Sequence, residues 1–305
     1  MPERLPPAGE ALVRIRAASL NFPDLLMSQG RYQHKPDLPF VPGMEAAGEI
    51  IQLGSDGSAY QTGDRVYFGC RTGGLAQQAI VPIAALRPLP DAFNFAEGAA
   101  FQVAAITAYV ALVRRGQLQR GETLLVHGAS GGMGMAAVQL GKHLGATVIA
   151  TGTDPVKLQV VKAAGADHVI TIRSAAFRDA VKDLTGGKGA DVIFDPVGGD
   201  VFDESTRCIA WAGRLLVIGF ASGRIATLSS NIALIKGFSM IGVRAGEAGR
   251  RDPAQGRAND QAICELAKAG LLRPHIGARF AFVDALDAMR ALRERKYPGK
   301  LVIEI

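Results

Sequence analysis

Four glycines lie within seven residues of this chain, at positions 128, 131, 132 and 134. The apolar run Leu124–Val126 precedes them, and helical spacing of apolar residues over Met133–Leu144 follows. Such a run is typical of a parallel strand that is covered on both faces. In a strand, glycine turn and helix of this kind, backbone N–H groups approach a diphosphate closely and the helix N-terminus favours its charge. The segment therefore predicts a dinucleotide-binding site.

Strand and helix patterns alternate through the middle of the chain. The predicted strands are Thr123–Val126, Thr147–Thr151, His168–Thr171, Asp191–Phe194, Arg214–Ile218 and Ser239–Val243. The predicted helices are Met133–Leu144, Pro155–Ala164, Phe177–Leu184 and Val201–Ala210. Repeated alternation of this kind predicts a doubly wound parallel sheet in an α/β protein.

The two ends of the chain have a different pattern. Short strand patterns at Ala11–Ala17, Ala46–Leu53 and Gln77–Val81 alternate with Pro- and Gly-containing turns, which predicts a β-rich domain. The tail, with a helix, a strand, a helix and the strand Lys300–Glu304, is too small for a core of its own. We predict a first domain over 1–100, a nucleotide-binding domain over 101–258, and a return segment over 259–305 that completes the first domain.

Length and composition are those of an ordinary globular protein of two domains, with 305 residues, 48% hydrophobic and 20% charged. The net charge of +6 comes from scattered basic residues rather than from a basic run interleaved with aromatics. Nucleic acid is therefore not a predicted partner. An anionic ligand such as a phosphorylated cofactor accounts for the positive charge equally well.

Cysteine usage and the N-terminus bear on the compartment. Cys70, Cys208 and Cys264 are far apart and form no Cys-x-x-Cys, so neither a disulfide framework nor a zinc ribbon is indicated. The first ten residues contain no apolar core typical of a secretory signal, and no apolar stretch reaches the ~20 residues that span a bilayer. These features predict a cytoplasmic protein with no membrane partner.

Six segments in order carry a resemblance to a known family. They are ALVRIRAASLNFPDLL, LPFVPGMEAAGEI, TGDRVYF, HGASGGMG, DVIFDPVGG and GRLLVIGFASG. Together they resemble the medium-chain dehydrogenase/reductase superfamily, specifically its zinc-free NADPH:quinone oxidoreductase, or zeta-crystallin-like, branch. The resemblance implies a GroES-like catalytic domain, a Rossmann domain that binds NADPH, an active site in the cleft between them, and a homodimer. Members of this branch usually have a further strand hairpin before the segment that matches Glu10, so the resemblance also implies either a missing edge element or a truncated start.

Three positions that hold zinc in alcohol dehydrogenases of the superfamily carry other residues here. Those enzymes have Gly-His-Glu-x-x-Gly, whereas this chain has Met44 in the His position, and the resemblance places Asn21 and Val103 at two cysteine positions. An amide, a thioether and an isopropyl group are not zinc ligands, so the prediction is a site without metal. Without a Lewis acid, nothing stabilises the alkoxide of a plain alcohol. Quinones and α,β-unsaturated carbonyls accept hydride with less help and are the predicted substrates.

The end of the second Rossmann strand determines the preference between NADH and NADPH. NAD-binding relatives have an acidic residue there that binds the ribose hydroxyls, whereas the resemblance aligns Gly152 with that position. A glycine removes a charge that would repel the 2′-phosphate, and Lys157 and Arg173 are the expected phosphate partners. We therefore predict NADPH as the cofactor, although Asp154 lies only two residues after Gly152.

The resemblance also assigns the remaining site residues. Tyr32 and Asn21 are the predicted catalytic residues, with Tyr32 stacking on a quinone ring or donating to its carbonyl. His34 is not required by the family pattern, and water is the predicted source of the transferred proton. The other positions expected to contact the cofactor, besides Asn21, are Thr107, Ala129, Ser130, Gly131, Gly132, Met133, Gly134, Val197, Gly219, Phe220, Arg244, Ala245 and Lys300.

Two alternatives remain open at this stage. Enoyl-thioester reductases that act on acyl-CoA share all of these motifs with quinone reductases. Some relatives bind RNA, so a non-catalytic NADPH-binding protein with a regulatory role is the other alternative, because a fold does not fix a function.

Overall fold

The computed structural model describes residues 5–55, 59–172 and 176–305. The chain forms two compact units: Met1–Val103 together with Arg273–Ile305, and Ala104–Leu272. No helix in the described part of the chain is both long enough and apolar enough to cross a membrane.

Strands and helices are numbered along the chain. The strands are β1 (Glu10–Leu20), β2 (Glu45–Leu53), β3 (Arg65–Gly69), β4 (Gln78–Pro82), β5 (Leu86–Pro88), β6 (Thr123–Val126), β7 (Thr147–Gly152), β8 (His168–Thr171), β9 (Ala190–Asp195), β10 (Ile209–Val217), β11 (Ser239–Gly242), β12 (Ile276–Ala281) and β13 (Lys300–Glu304). The helices are α1 (Phe22–Ser28), α2 (Phe95–Ala99), α3 (Gln102–Tyr109), α4 (Gly132–His143), α5 (Pro155–Ala163), α6 (Arg178–Leu184), α7 (Gly199–Cys208), α8 (Ser230–Lys236), α9 (Ala245–Arg251), α10 (Pro253–Lys268) and α11 (Ala285–Arg293). A π-helical turn, Val110–Arg115, follows α3, and 3-10 turns lie at Ile83–Ala85 and Phe282–Asp284.

The first unit is built on a seven-stranded sheet in the order β12-β13-β1-β2-β3-β5, with β4 also paired to β1. The long strand β1 pairs with β4 through its first half and with β13 through its second half, where Leu20 lies opposite Leu301. Alternate side chains of the central strands, such as Val13, Ile50 and Phe68, are buried in one core cluster. The last strand of the chain therefore completes the sheet that its first strand begins.

The second unit contains a six-stranded sheet in the order β11-β10-β9-β6-β7-β8, and every pairing in it is parallel. This arrangement confirms the predicted α/β fold with a doubly wound sheet beside a β-rich unit. Neighbouring strands change from β7 to β9 on the two sides of β6, so the order reverses there. Ligands of open parallel sheets bind at the carboxyl ends of the strands at such a reversal.

A local prediction differs from the structure. Ala210 was predicted to be helical but lies in β10. Ala212, in the same strand, has a φ of 58°. The pairing of β10 with β9 is irregular in this part, because the four residues 210–213 of β10 lie between two paired positions that only Asp191 separates on β9.

Candidate active site

The glycine turn after β6 is shaped by close backbone contacts on its inner side. Gly128 has a φ of +56°, and the N–H of Ala129 donates to the Thr151 carbonyl at 3.0 Å. A Cβ atom on Gly134 would lie 2.5 Å from the Gly128 carbonyl oxygen, so α4 packs directly on the turn. A Cβ atom on Gly131 would meet nothing closer than 3.4 Å, and this residue is exposed. The turn is therefore tight on its inner side and open at Gly131.

The helix that follows the turn begins without a side-chain cap. Its N-cap residue is Gly131, which has no side-chain oxygen to accept from the first backbone N–H groups of the helix. These groups belong to Gly132, Met133 and Gly134, and the half-buried Ser130 precedes them. Uncapped N–H groups with the positive end of the helix dipole favour an anion. The geometry fits the diphosphate of a dinucleotide.

The end of the next strand, β7, places the predicted residues Gly152 and Lys157 close to Asp154. Gly152 is buried, and a Cβ atom there would lie 3.1 Å from Leu158 Cδ2. The Asp154 carboxylate accepts from the N–H groups of Val156 at 2.9 Å and Lys157 at 3.3 Å, so it caps α5. The Lys157 ammonium lies 3.6 Å from Asp154 Oδ2. Because these bonds, led by that from the Lys157 N–H, hold the pKa of Asp154 below its usual value, its negative charge is partly offset by α5 and by Lys157.

The loops after β9 and β10 are joined by backbone hydrogen bonds. The buried Asp195 side chain accepts from the N–H groups of Val197 at 2.8 Å and Gly198 at 2.9 Å, and burial raises its pKa. The N–H of Ser222 donates to the Val197 carbonyl at 2.9 Å, which places Gly219 and Phe220 in the adjoining loop. A Cβ atom on Gly128 would lie 3.3 Å from Val197 Cγ2, so this loop also adjoins the glycine turn.

The remaining predicted positions are placed as follows. Arg244 is exposed and Ala245 is buried, and both follow β11 at the start of α9. Thr107 is half-buried on α3. Arg173 lies outside the described residues. The cofactor residues predicted on β6, β7, β9, β10 and β11 therefore all follow the carboxyl ends of parallel strands, at one edge of one sheet.

His127 is a residue of this edge that the sequence analysis did not single out. Its ring is fully buried at the end of β6, with Nδ1 2.8 Å from Thr151 Oγ1 and Nε2 2.8 Å from Ser205 Oγ. The Ser205 hydroxyl donates to the Val201 carbonyl at 2.7 Å, so the arrangement that satisfies every group has His127 Nε2–H donating to Ser205 and Thr151 donating to Nδ1. Burial lowers the pKa of His127 to about 3. A neutral histidine thus links β6, β7 and α7, and only its position directly before Gly128 could have drawn attention to it.

In the first unit, Asn21 and Asp24 lie at the start of α1. The N–H of Asn21 donates to Asp24 Oδ2 at 2.8 Å, and the N–H of Gly43 donates to Asp24 Oδ1 at 3.0 Å. Burial raises the pKa of Asp24 to about 6. Asp24 therefore joins α1 to the segment before β2. Tyr32 is half-buried in the segment between them, and no hydrogen bond to its hydroxyl is found among the described residues.

A buried ion pair lies beside Asn21. The Lys300 ammonium donates to Glu45 Oε1 and to Asn21 Oδ1, both at 2.7 Å, and to the Leu20 carbonyl at 3.3 Å. The Asn21 amide nitrogen donates to Glu45 Oε1 at 3.0 Å, and the N–H of Val103 donates to Glu45 Oε2 at 2.8 Å. All three N–H bonds of the Lys300 ammonium thus have partners inside the first unit, whereas the resemblance implied that Lys300 contacts the cofactor. Glu45 was not among the predicted site residues.

Asn21 and Val103, at two of the positions that correspond to zinc ligands, both donate hydrogen bonds to Glu45. Their donors are an amide nitrogen and a backbone N–H. Over the described ranges, no group of three or more His, Cys, Asp or Glu residues is arranged to hold a metal ion.

Comparison with known proteins identifies the family. The chain matches the alcohol dehydrogenase GroES-like domain over residues 7–91 and the zinc-binding dehydrogenase family over residues 132–257. It is 39% identical to a quinone oxidoreductase-like protein 2 homolog of Nematostella vectensis, over 95% of this chain and 80% of that protein. The chain belongs to the quinone oxidoreductase family of the medium-chain dehydrogenase/reductases. Another member, the quinone oxidoreductase of Pongo abelii, is 31% identical over 93% of this chain and 85% of its own length.

Solved structures agree with this family assignment. Mycobacterial Rv1454c in complex with NADPH matches with a TM-score of 0.91 and 29% identity, over all of this chain and 94% of that one. The CurK enoyl reductase matches with a TM-score of 0.90 and 25% identity, over 100% and 93% of the two chains. The family fold is thus shared by proteins named quinone oxidoreductase and enoyl reductase.

Proposed function

We propose that this protein is an NADPH-dependent reductase that transfers hydride to a quinone or another activated α,β-unsaturated carbonyl without a metal ion. The observation that carries the proposal is the edge of the parallel sheet, where an uncapped α4 adjoins a β7 end that carries glycine in place of an acidic residue. The quinone oxidoreductase relatives and the NADPH complex of Rv1454c support it.

The chain's own residues would bind and orient the cofactor at this edge. The N–H groups at the start of α4 would bind the diphosphate, and Lys157, with Arg173, would bind the 2′-phosphate. Other residues at this edge would contact the cofactor from the loops after β9, β10 and β11: Val197, Gly219, Phe220, Arg244 and Ala245. When bound, NADPH supplies the hydride.

Asn21 and Tyr32 would contact the reacting groups, and Thr107 would contact the nicotinamide. The donor set supports chemistry without metal, because amide, thioether and isopropyl groups stand at the three zinc-ligand positions. A quinone delocalises the incoming negative charge over its own π system. Positioning of donor and acceptor then supplies most of the rate enhancement, and water supplies the proton.

The test is NADPH oxidation followed by absorbance, first with a benzoquinone or naphthoquinone and then with crotonyl-CoA. We expect turnover with the quinone and far lower kcat/KM with crotonyl-CoA. The reverse preference would establish the enoyl-thioester reductase, a class present among the structural neighbours. NADPH binding without turnover of any acceptor would contradict a catalytic role.

We further propose that the protein forms a homodimer through β11. This strand is the last of its sheet, and Met240 at its centre is exposed. The exposed side chains of Trp211, Leu234 and Ile235 belong to the adjacent β10 and α8. An apolar, unpaired strand edge is a ready surface for pairing with a second copy.

A further inference from the structure

The ion pair of Lys300 and Glu45 is almost completely buried, which is rare for charged side chains. The two side chains are 6% and 1% exposed, and their closest atoms are 2.7 Å apart. Moving two charges out of water costs several kcal/mol each, and a well-packed apolar pair often stabilises a fold as well or better. The stability of the first unit is therefore a poor reason for this pair.

What the pair does specify is the orientation of one amide. Asn21 Oδ1 faces the ammonium of Lys300, and Asn21 Nδ2 faces the carboxylate of Glu45. Rotating the amide by 180° would place its NH₂ group against the ammonium and its oxygen against the carboxylate. Both contacts would become repulsive, so the two charges fix the same orientation.

The fixed orientation leaves one specific group available. The Asn21 carbonyl oxygen accepts from Lys300, while Nδ2 carries a second N–H beyond the one that Glu45 accepts. Asn21 is thus held as a donor of a hydrogen bond. A donor suits a carbonyl oxygen, either of a quinone or of a carboxamide, and would stabilise negative charge that develops on it.

We propose that Lys300 and Glu45 are positioning residues that hold the Asn21 carboxamide as a hydrogen-bond donor for the reductase reaction. The role of Asn21 in contact with the reacting groups rests on the proposed function. The backbone at Asn21 is held independently, because its N–H donates to Asp24. Replacing the ion pair should therefore release the amide without displacing the start of α1.

The experiment compares Lys300→Met, Glu45→Gln, the double variant of these two, Asn21→Ala, and the triple variant that adds Asn21→Ala to the double. Each single variant leaves one buried charge without its partner, and we expect Tm to fall by about 10 °C. The double variant should recover most of that loss because no unpaired charge remains. Its kcat for quinone reduction should stay reduced by about tenfold or more, with KM changed less.

Non-additivity separates positioning from a general structural effect. If the pair acts through Asn21, adding Asn21→Ala to the double variant should lower kcat no further. A kcat that returns together with Tm in the double variant, or losses that multiply in the triple variant, would overturn the proposal. The matched control is the ion pair of Arg214 and Glu122, with a distance of 2.6 Å in the second unit. Arg214→Met combined with Glu122→Gln should change Tm but not kcat.

A spectroscopic measurement keeps this test separate from that of the proposed function. The chain has four asparagines, so selective ¹⁵N labelling of Asn side chains gives four NH₂ pairs, and Asn21→Ala assigns one of them. We expect slow hydrogen exchange of the Asn21 pair in the wild type, and a shifted, faster exchanging pair in the double variant. If the wild type reduces no acceptor, the proposed function fails, and an unchanged Asn21 signal would still overturn the orienting role of the ion pair.

Discussion

Gly152 and Lys157 are the residues on which the choice of NADPH depends. The structure adds that the neighbouring Asp154 is already engaged as the N-cap of α5. A capping carboxylate that also lies 3.6 Å from an ammonium repels a phosphate less than a free one would. The negative charge of Asp154, which counted against NADPH in the sequence, is thus partly offset.

Replacing Lys157 by Ala should weaken NADPH binding by about tenfold, because one charge-assisted contact to the 2′-phosphate is lost. Binding of NADH, which lacks that phosphate, should change by less than about twofold. Titration of both cofactors by fluorescence or calorimetry measures this. Lys162→Ala, an exposed lysine on the same helix, is the control and should affect neither. An equal loss of affinity for both cofactors would show that Lys157 does not bind the 2′-phosphate.

His127 should make the protein less stable in mild acid. Its folded pKa of about 3 lies below the ordinary value of 6.5, so the unfolded chain binds the proton more readily. The contribution of neutral His127 to stability is complete above pH 6.5 and decreases as the pH falls from 6.5 towards 3. At pH 5.5 the loss is about 1.4 kcal/mol in the free energy of unfolding.

This contribution is measured by denaturant unfolding of the wild type and of His127→Gln between pH 5 and 8. The variant should be less stable at pH 8 and should lose less stability on acidification, so the two curves converge. His143→Gln, at an exposed position in the last turn of α4, should keep the wild-type slope. Parallel curves for the wild type and His127→Gln would contradict the neutral buried state.

At the scale of elements, the glycine turn and α4 have two separable functions. Gly134 allows the helix to pack on the turn, since a Cβ atom there would lie 2.6 Å from Ala129 Cα. Gly131 contributes no such packing, because a Cβ atom there would meet only the Gly128 carbonyl oxygen, at 3.4 Å. Gly134 therefore serves the fold, whereas Gly131 leaves space for a ligand.

Gly134→Ala should therefore lower the free energy of unfolding by about 1–3 kcal/mol through overpacking. Gly131→Ala should leave stability within about 0.5 kcal/mol of the wild type and weaken NADPH binding by tenfold or more, because the added methyl group obstructs the approach of the diphosphate. Denaturant unfolding and cofactor titration on both variants test this pair. Unimpaired NADPH binding by a folded Gly131→Ala would place the diphosphate elsewhere.

For the molecule as a whole, the proposed dimer requires that the exposed edge of β11 pairs with a second copy. Met240→Lys adds a charge to the centre of the exposed strand, where it should oppose pairing with a second copy. We expect sedimentation velocity to show a monomer for this variant and a dimer for the wild type. Val283→Lys, at an 88% exposed apolar position of the first unit, is the control and should remain dimeric. A monomeric wild type would contradict the proposal directly.

Sequence patterns were enough to predict the fold class, the strand, turn and helix over 123–143, and the lack of zinc donors at positions 21, 44 and 103. These features are local: hydrophobic periodicity, glycine spacing and residue type can be read from neighbours along the chain. Only the tertiary structure gave Lys300 its partner, because Glu45 is 255 residues away and the two meet through the pairing of β13, β1 and β2. The partners of His127 were beyond the sequence for the same reason, since a hydrogen bond between distant residues depends on strand register and helix packing, which no local pattern encodes.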